Sequence, residues 1–301
     1  MPRYDLPTPH SPMPLPAIDP FRHRLAFVRV LSLLHHAESA ALEGFRLLND
    51  PRYVQASDLF ARSGARLIED EAKHIAGIEA LIEQLHPGGI LPPSPEEAKF
   101  WQAWRRGDLF ALPYKPAIAA LLCLFSEGLG FAFLYHLAEC TADPTFKTTL
   151  QANVEDEKMH LRLSLTVLRR ALETQPRGLL IDIVVHLLGY ALIARHPLRT
   201  QRRVIEDLGL PFEALFASSL RFVYDLMHLV VAETGQATPT WRALGRVIYG
   251  LFEQPARVNT LLLGAWLPEP PGLRRMLRGW GVWQLWRAGI EVTPVGQLAA
   301  A

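Results

Sequence analysis

Between residues 21 and about 170, apolar positions recur at steps of three and four, the period of an amphipathic helix. Four long helices are predicted. The first spans about Phe21 to Leu48, with Leu31, Leu34, Glu38, Leu42 and Phe45 on one stripe; Asn49-Asp50-Pro51 stops it. The second runs from about Ser57 to Leu85 and turns Leu67, Glu71, His74, Ile78, Leu81 and Leu85 inward, ending at His86-Pro87-Gly88-Gly89. The third begins near Pro116, a favourable first-turn residue, and presents Ala120, Leu124, Glu127, Phe131 and Leu134. Thr141-Ala142-Asp143-Pro144 then reverses the chain into a fourth helix bearing Leu150, Glu157, His160, Ser164 and Leu168. Two hairpins joined by a connection of about 30 residues, His86 to Lys115, have the topology of a four-helix bundle with one long crossover. Trp101 and Trp104 on that crossover are expected to pack against the bundle. Period-two alternation is absent, so the fold class is all-α.

Two segments flank this pattern. Residues 1–20 carry Pro2, Pro7, Pro9, Pro12, Pro14, Pro16 and Pro20, which predict an extended, loosely held, flexible arm rather than a signal peptide. Residues 176–301 read as a helical extension packed on the bundle (residues 21–175): helices from about Leu179 to Arg195, Pro211 to Glu233 and Pro239 to Glu253. A tail with Trp266, Trp280, Trp283 and Trp286 follows Pro268-Glu269-Pro270-Pro271-Gly272. With no catalytic motif of its own, this half is expected to cover the bundle, shape a substrate entrance or form a homodimer interface.

Composition narrows the setting. The 301 residues carry 31 basic and 30 acidic side chains, a balance that argues against coating nucleic acid or an anionic membrane. Leu179 to Ala194, the most apolar late run, is too short to span a bilayer comfortably and contains Asp182 and His186. Cys123 and Cys140 build neither a disulfide framework nor a four-thiolate metal site, so a reducing, cytoplasmic location fits.

The chemistry lies in what does not belong on the apolar stripes. Glu38, Glu71, His74, Glu127, Glu157 and His160 all face inward, and buried carboxylates are tolerated only when paired or metal-bound. Chance predicts about 0.7 Glu-x-x-His matches in this chain. Of the three present, two lie inside a repeated Glu-Asp-Glu-x-x-His string at Glu69 to His74 and Glu155 to His160; the third, Glu83 to His86, stands at the end of the second helix. An i, i+3 pair shares one helix face, so each pair can reach a common centre. In an antiparallel hairpin, two residues meet at one height when the turn lies midway between them. The midpoint of 127 and 157 is residue 142, inside Thr141-Pro144. The midpoint of 38 and 71 falls between Pro51 and Ser57, where a short extra turn is predicted.

Glu, then Glu-x-x-His, then Glu, then Glu-x-x-His, one set per helix, resembles the ferritin-like di-iron carboxylate superfamily over residues 21–170. The resemblance implies two metal ions in the core, iron with iron or manganese with iron. Glu71 and Glu157 would bridge them, Glu38 and His74 would complete one, and Glu127 and His160 the other. Asp70 and Asp156 match positions that accept a hydrogen bond from a ligand histidine in several such families; the bland alternative is two surface aspartates.

Within that superfamily, isolated cysteines argue against a rubrerythrin-type iron–thiolate module. Ile78 stands where reductase subunits hold a radical tyrosine, and Asn153 where aryl-amine N-oxygenases hold an extra histidine. The function that remains is an O2-activating oxidase or oxygenase: hydroxylation, desaturation or N-oxidation of a small, hydrophobic organic substrate. An external reductase or ferredoxin would supply electrons, since no flavin, nicotinamide or iron–sulfur motif is visible. The alternative is a ferritin- or bacterioferritin-type protein that oxidises or binds iron without an organic substrate; a helical interaction protein with a relic site is a third.

Several residues carry two readings. Gly128 and Gly130, beside Glu127, either make room for substrate or O2, with a π-bulge, or let a neighbouring helix pack closely. Phe131, Phe133, Leu134 and Ile78 would wall an apolar cavity or simply fill the core. Ser164 lines the cavity or bonds its own helix. His35, His36 and His136 are surface or core residues by default, near enough to the ligands to support them. Asp182 and His186 read as a buried hydrogen-bonded pair before a metal site. Arg202-Arg203 and Arg274-Arg275 are solvated arginines or a landing for an acidic partner.

Overall fold

The computed structural model describes residues 4–49, 58–95, 97–98, 101, 116–174, 201–235 and 237–259. Among them the architecture is all-helical, and the only β pairing is the isolated bridge between Ile18 and Thr141. Helices α1 (Arg24–Asn49), α2 (Asp58–Leu85), α3 (Pro116–Cys140) and α4 (Pro144–Thr174) match the four predicted segments to within a few residues. α1 packs on α2 and α3 on α4, and the two hairpins meet along α2 and α4.

Local chemistry sets the ends. Asp143 caps α4, its Oδ1 accepting from Thr145 N at 2.9 Å and Phe146 N at 3.1 Å. Pro144 occupies the first turn, where its missing donor is harmless. Past Leu85 the chain turns through Gly89, whose φ of 79° is the left-handed conformation glycine accepts freely. The crossover is then fastened to α1: Leu91 N donates to Ser32 Oγ at 3.0 Å, and the Leu91 carbonyl meets His36 Nε2 at 3.0 Å. Trp101 is partly buried, as expected. Trp104 and the predicted extra turn between Pro51 and Ser57 lie outside the described residues, as do Leu179–Arg195 with Asp182 and His186, Arg274-Arg275, and the tryptophan-bearing tail.

The amino-terminal arm is extended, as the prolines require, and meets the bundle at Tyr4 and Ile18. Ile18 N donates to the Cys140 carbonyl at 2.7 Å, and Ala142 N to the Ile18 carbonyl at 2.8 Å. Ile18 and Tyr4 are buried in the main core, and Arg162 Nε donates to the Tyr4 carbonyl at 3.3 Å. Composition reports what a segment cannot form; it does not report two hydrophobic anchors placed to fit a groove.

Of the extension, α5 (Phe212–Glu233) and α6 (Pro239–Glu253) coincide with the predicted helices. Thr238 caps α6 by accepting from Trp241 N at 3.2 Å. α5 packs on α3, and α6 on α5. This explains α3, which is apolar around its whole circumference: α4 covers one side and α5 another. α5 is also the one described helix long and apolar enough to cross a membrane, and it is mostly buried here. Cys123 and Cys140 are both buried and unlinked.

Candidate metal centre

Each of the four long helices carries a charged or imidazole side chain to the same level of the core: Glu38 from α1, Glu71 and His74 from α2, Glu127 from α3, Glu157 and His160 from α4. Glu71 is 0% exposed, His74 and His160 are 1%, Glu157 is 3% and Glu38 is 9%. Glu127 is partly buried. One ligand atom from each of Glu38, Glu71, His74 and Glu157 lies within 4.8 Å of the others. The same holds for Glu71, Glu127, Glu157 and His160. Each group could hold a metal ion, and Glu71 and Glu157 belong to both.

The two imidazoles are oriented alike. His74 Nδ1 faces inward, 3.2 Å from Glu157 Oε1 and 3.5 Å from Glu38 Oε2. His160 Nδ1 lies 3.0 Å from Glu157 Oε2 and 3.4 Å from Glu71 Oε1. Their Nε2 atoms point outward and cross between hairpins: His74 toward Asp156 at 3.7 Å, His160 toward Asp70 at 3.8 Å. These spacings are longer than a hydrogen bond, so the two aspartates face the histidines without bonding them. They are also unequal. Asp70 is buried and has Arg66 Nε and Lys73 Nζ each at 3.6 Å, whereas Asp156 is more than a third exposed.

Burial and like charge act together on Glu71 and Glu127, whereas opposite charge overrides burial at Glu157 and the two histidines. Burial, then the Glu38, Glu157 and Glu127 carboxylates, hold Glu71 well above the usual carboxylate range. Burial followed by Glu157 and Glu38 does the same to Glu127. Burial also opposes ionisation of Glu157, but His160 and His74 beside it prevail and pull it below the usual range. Burial opposes charge on His74, yet the Glu157 and Glu38 carboxylates outweigh it and push the imidazole up to about 10. His160 is raised as well, burial again losing to Glu157.

A donor set for cations should leave its atoms without hydrogen bonds, and here the members of the set face one another. Both Glu71 oxygens, Glu157 Oε2, and both ring nitrogens of His74 and His160 are buried without a hydrogen bond. Buried polar atoms are paired in the great majority of cases, so seven orphans at one level need a common explanation. Carboxylate oxygens with imidazole nitrogens suit iron or manganese better than thiolate-seeking metals.

The surroundings resolve the double readings. α3 continues as regular helix through Gly128 and Gly130. A Cβ on Gly128 would meet Val223 Cγ2 at 2.8 Å, so this glycine serves close packing of α5 on α3. Gly130 is exposed and faces open space. Phe131, Leu134 and Ile78 are core, and Phe131 stacks on Phe222 of α5 with centroids 5.0 Å apart. Ser164 is buried, 1% exposed, close enough to the Cys123 thiol to influence its proton affinity. His35 pairs with Glu79 at 3.0 Å, and His136 with Ser218 Oγ at 2.7 Å. Arg202 is engaged by Glu206, Glu213 and Asn259 within the chain. Phe45, which packs edge-on against His160 at 5.6 Å, is a neighbour the stripe predicted only as core.

No protein-family model matches this chain, and no curated protein matches it significantly.

Proposed function

We propose that this chain is an O2-activating di-metal oxidase or oxygenase built on a ferritin-like four-helix bundle, acting on a small, hydrophobic organic substrate. The observation that carries the reading is the pair of overlapping four-residue groups sharing Glu71 and Glu157. Glu38 and His74 would complete one ion's ligands, and Glu127 and His160 the other's. Two reduced iron ions, or manganese with iron, would supply the electrons and open coordination positions that O2 chemistry needs.

The chain's own residues set the conditions. Glu71 and Glu157, held from opposite hairpins and common to both groups, would each help hold both cations. Asp156 and Asp70 face the outer nitrogens of His74 and His160 at 3.7 and 3.8 Å, and a closer approach would orient the rings with their inner nitrogens free to hold metal. The apolar layer of Leu34, Ile78, Phe131 and Leu134 excludes water beside the centre. Electrons would come from a separate reductase or ferredoxin.

The test is metal analysis of protein grown in iron-replete medium, followed by O2 uptake with a reductant. Two equivalents of iron plus manganese per chain, lost in Glu71→Ala and Glu157→Ala, are expected, with O2 uptake that an organic substrate stimulates. Less than one equivalent, unchanged by either substitution, would falsify the reading. Substrate-free iron turnover into a mineral, with elution as a large cage, would replace it by an iron-storage function.

A further inference from the structure

Asn153 is 5% exposed, and its amide nitrogen is buried without a hydrogen bond. Asparagine is seldom this buried, and a buried amide is normally satisfied. Several other polar side chains of this core follow that rule, although Tyr4 Oη and His35 Nδ1 are also buried without a hydrogen bond. Thr141, Thr166 and Ser219 donate to carbonyls four residues back, and His136 meets Ser218.

Its position gives the orphan meaning. Asn153, Glu157 and His160 stand at i, i+4 and i+7 on α4, so they share one face. Asn153 lies one turn from Glu157 toward the α3–α4 connection, a rise of about 5–6 Å. By the hairpin midpoint at residue 142, Phe131 of α3 stands at the same level. On α2, where His74 meets Glu157 and Glu71 meets His160, the residue at that level is Ile78. Phe131 is 3% exposed and Ile78 is 0%. One unpaired donor therefore sits at the level of Phe131 and Ile78, one turn from the metal level.

We infer that Asn153 is a specificity-determining residue. Its amide N–H donates a hydrogen bond to an acceptor oxygen on a substrate whose reacting end lies at Glu71 and Glu157. The substrate class follows: a small molecule with an apolar body and one carboxylate, carbonyl or hydroxyl oxygen about one helical turn from the atom that reacts. The class rests on the proposed function for its reacting end and on the Asn153 donor alone for its oxygen. A site with a buried donor rejects analogues that leave the donor unpaired.

The experiment compares hexane, hexan-1-ol and hexanoate as probes by ligand-observed NMR on the full chain, metal-free and metal-loaded. The wild type is expected to bind the two oxygenated probes about tenfold tighter than hexane, which equals about 1.4 kcal/mol. Asn153→Leu should erase that preference while keeping hexane binding, and should melt a few degrees higher because an unpaired amide is gone. Asn153→Asp, which offers acceptors in place of the donor, should reject hexanoate. Equal preference in wild type and Asn153→Leu, no binding of any probe, or an Asn153→Leu melting point below the wild type would overturn the inference. Metal content of the same preparations separates the two readings. Absent metal removes the proposed function, whereas discrimination by metal-free protein stands or falls with Asn153.

Discussion

Glu71→Leu probes the opposition at the heart of the centre. Glu71 is fully buried, neither of its oxygens has a hydrogen bond, and three further carboxylates raise its proton affinity. An unsatisfied buried polar group costs about 1–3 kcal/mol, more when charged. Leucine fills a similar volume without that cost, and His160 keeps its contact with Glu157 at 3.0 Å. The metal-free variant should therefore be more stable than the wild type by about 1–3 kcal/mol. At roughly 2–4 °C per kcal/mol for a chain of this order, that is a rise of about 2–12 °C in Tm. Metal reverses the ranking. At a hundredfold excess over Kd, one ion bound only by the folded state adds about 2.7 kcal/mol. The wild type should gain this at each position it fills, whereas the variant lacks a candidate ligand from both groups. Differential scanning calorimetry with chelator, then with ferrous or manganous ion under argon, should show the two proteins crossing in order. A metal-free variant less stable than the wild type would mean that the Glu71 carboxyl holds the fold together. Equal metal-induced shifts in the two proteins would remove Glu71 from the ligand set.

Two other predictions address the frame around the centre. Gly128→Ala gains about 1 kcal/mol of helix propensity but overpacks Val223 at a typical cost of about 1–3 kcal/mol. Urea unfolding should show net destabilisation that Val223→Ala relieves; a stabilised Gly128→Ala with no coupling to Val223 would rule out close packing there. His136 is buried, and burial, then His10, lower its imidazole to about 4. Above the ordinary value of 6.5 both states are neutral; as pH falls from 6.5 to 4 the unfolded chain takes a proton that the folded chain refuses. Stability should drop across that window by at most about 3 kcal/mol, and His136→Gln should flatten the slope. An unchanged acid slope in that variant would place the titration elsewhere.

The four long helices were legible because their pattern is redundant: twenty or more residues vote for each period, and proline or asparagine marks each break. The six-residue constellation was legible for a related reason. Glu-x-x-His fixes two side chains on one face by helix geometry alone, and the 142 midpoint fixes their level against Glu127. What the sequence left open depends on distant partners. Gly128 offered two readings because the choice turns on Val223, 95 residues away, reaching its Cα. The anchoring of the arm turns on Tyr4 and Ile18 meeting α4 and the α3–α4 connection, contacts with no local signature. Asn153 registered only as a residue differing from a histidine elsewhere; its significance comes from the missing partner of its nitrogen, which only side-chain coordinates reveal.

The extension and the centre are mechanically connected. α3 has no polar face, so it cannot stand at the outside of a two-hairpin assembly; α5 supplies the cover. The closest approach is at Gly128, the residue after Glu127, where Val223 leaves no space for a methyl group. Phe131, one turn on, stacks on Phe222 from the same stretch of α5. The segment that carries Glu127 is thus clamped by α5 as well as by α4, and its distance from Glu157 is set by both neighbours rather than by the hairpin alone. A ligand shared between rigid elements can hold a metal position to within tenths of an ångström only if its own helix cannot drift. α5 therefore acts on the Glu127 half of the centre through packing, although none of its residues belongs to either candidate ligand group.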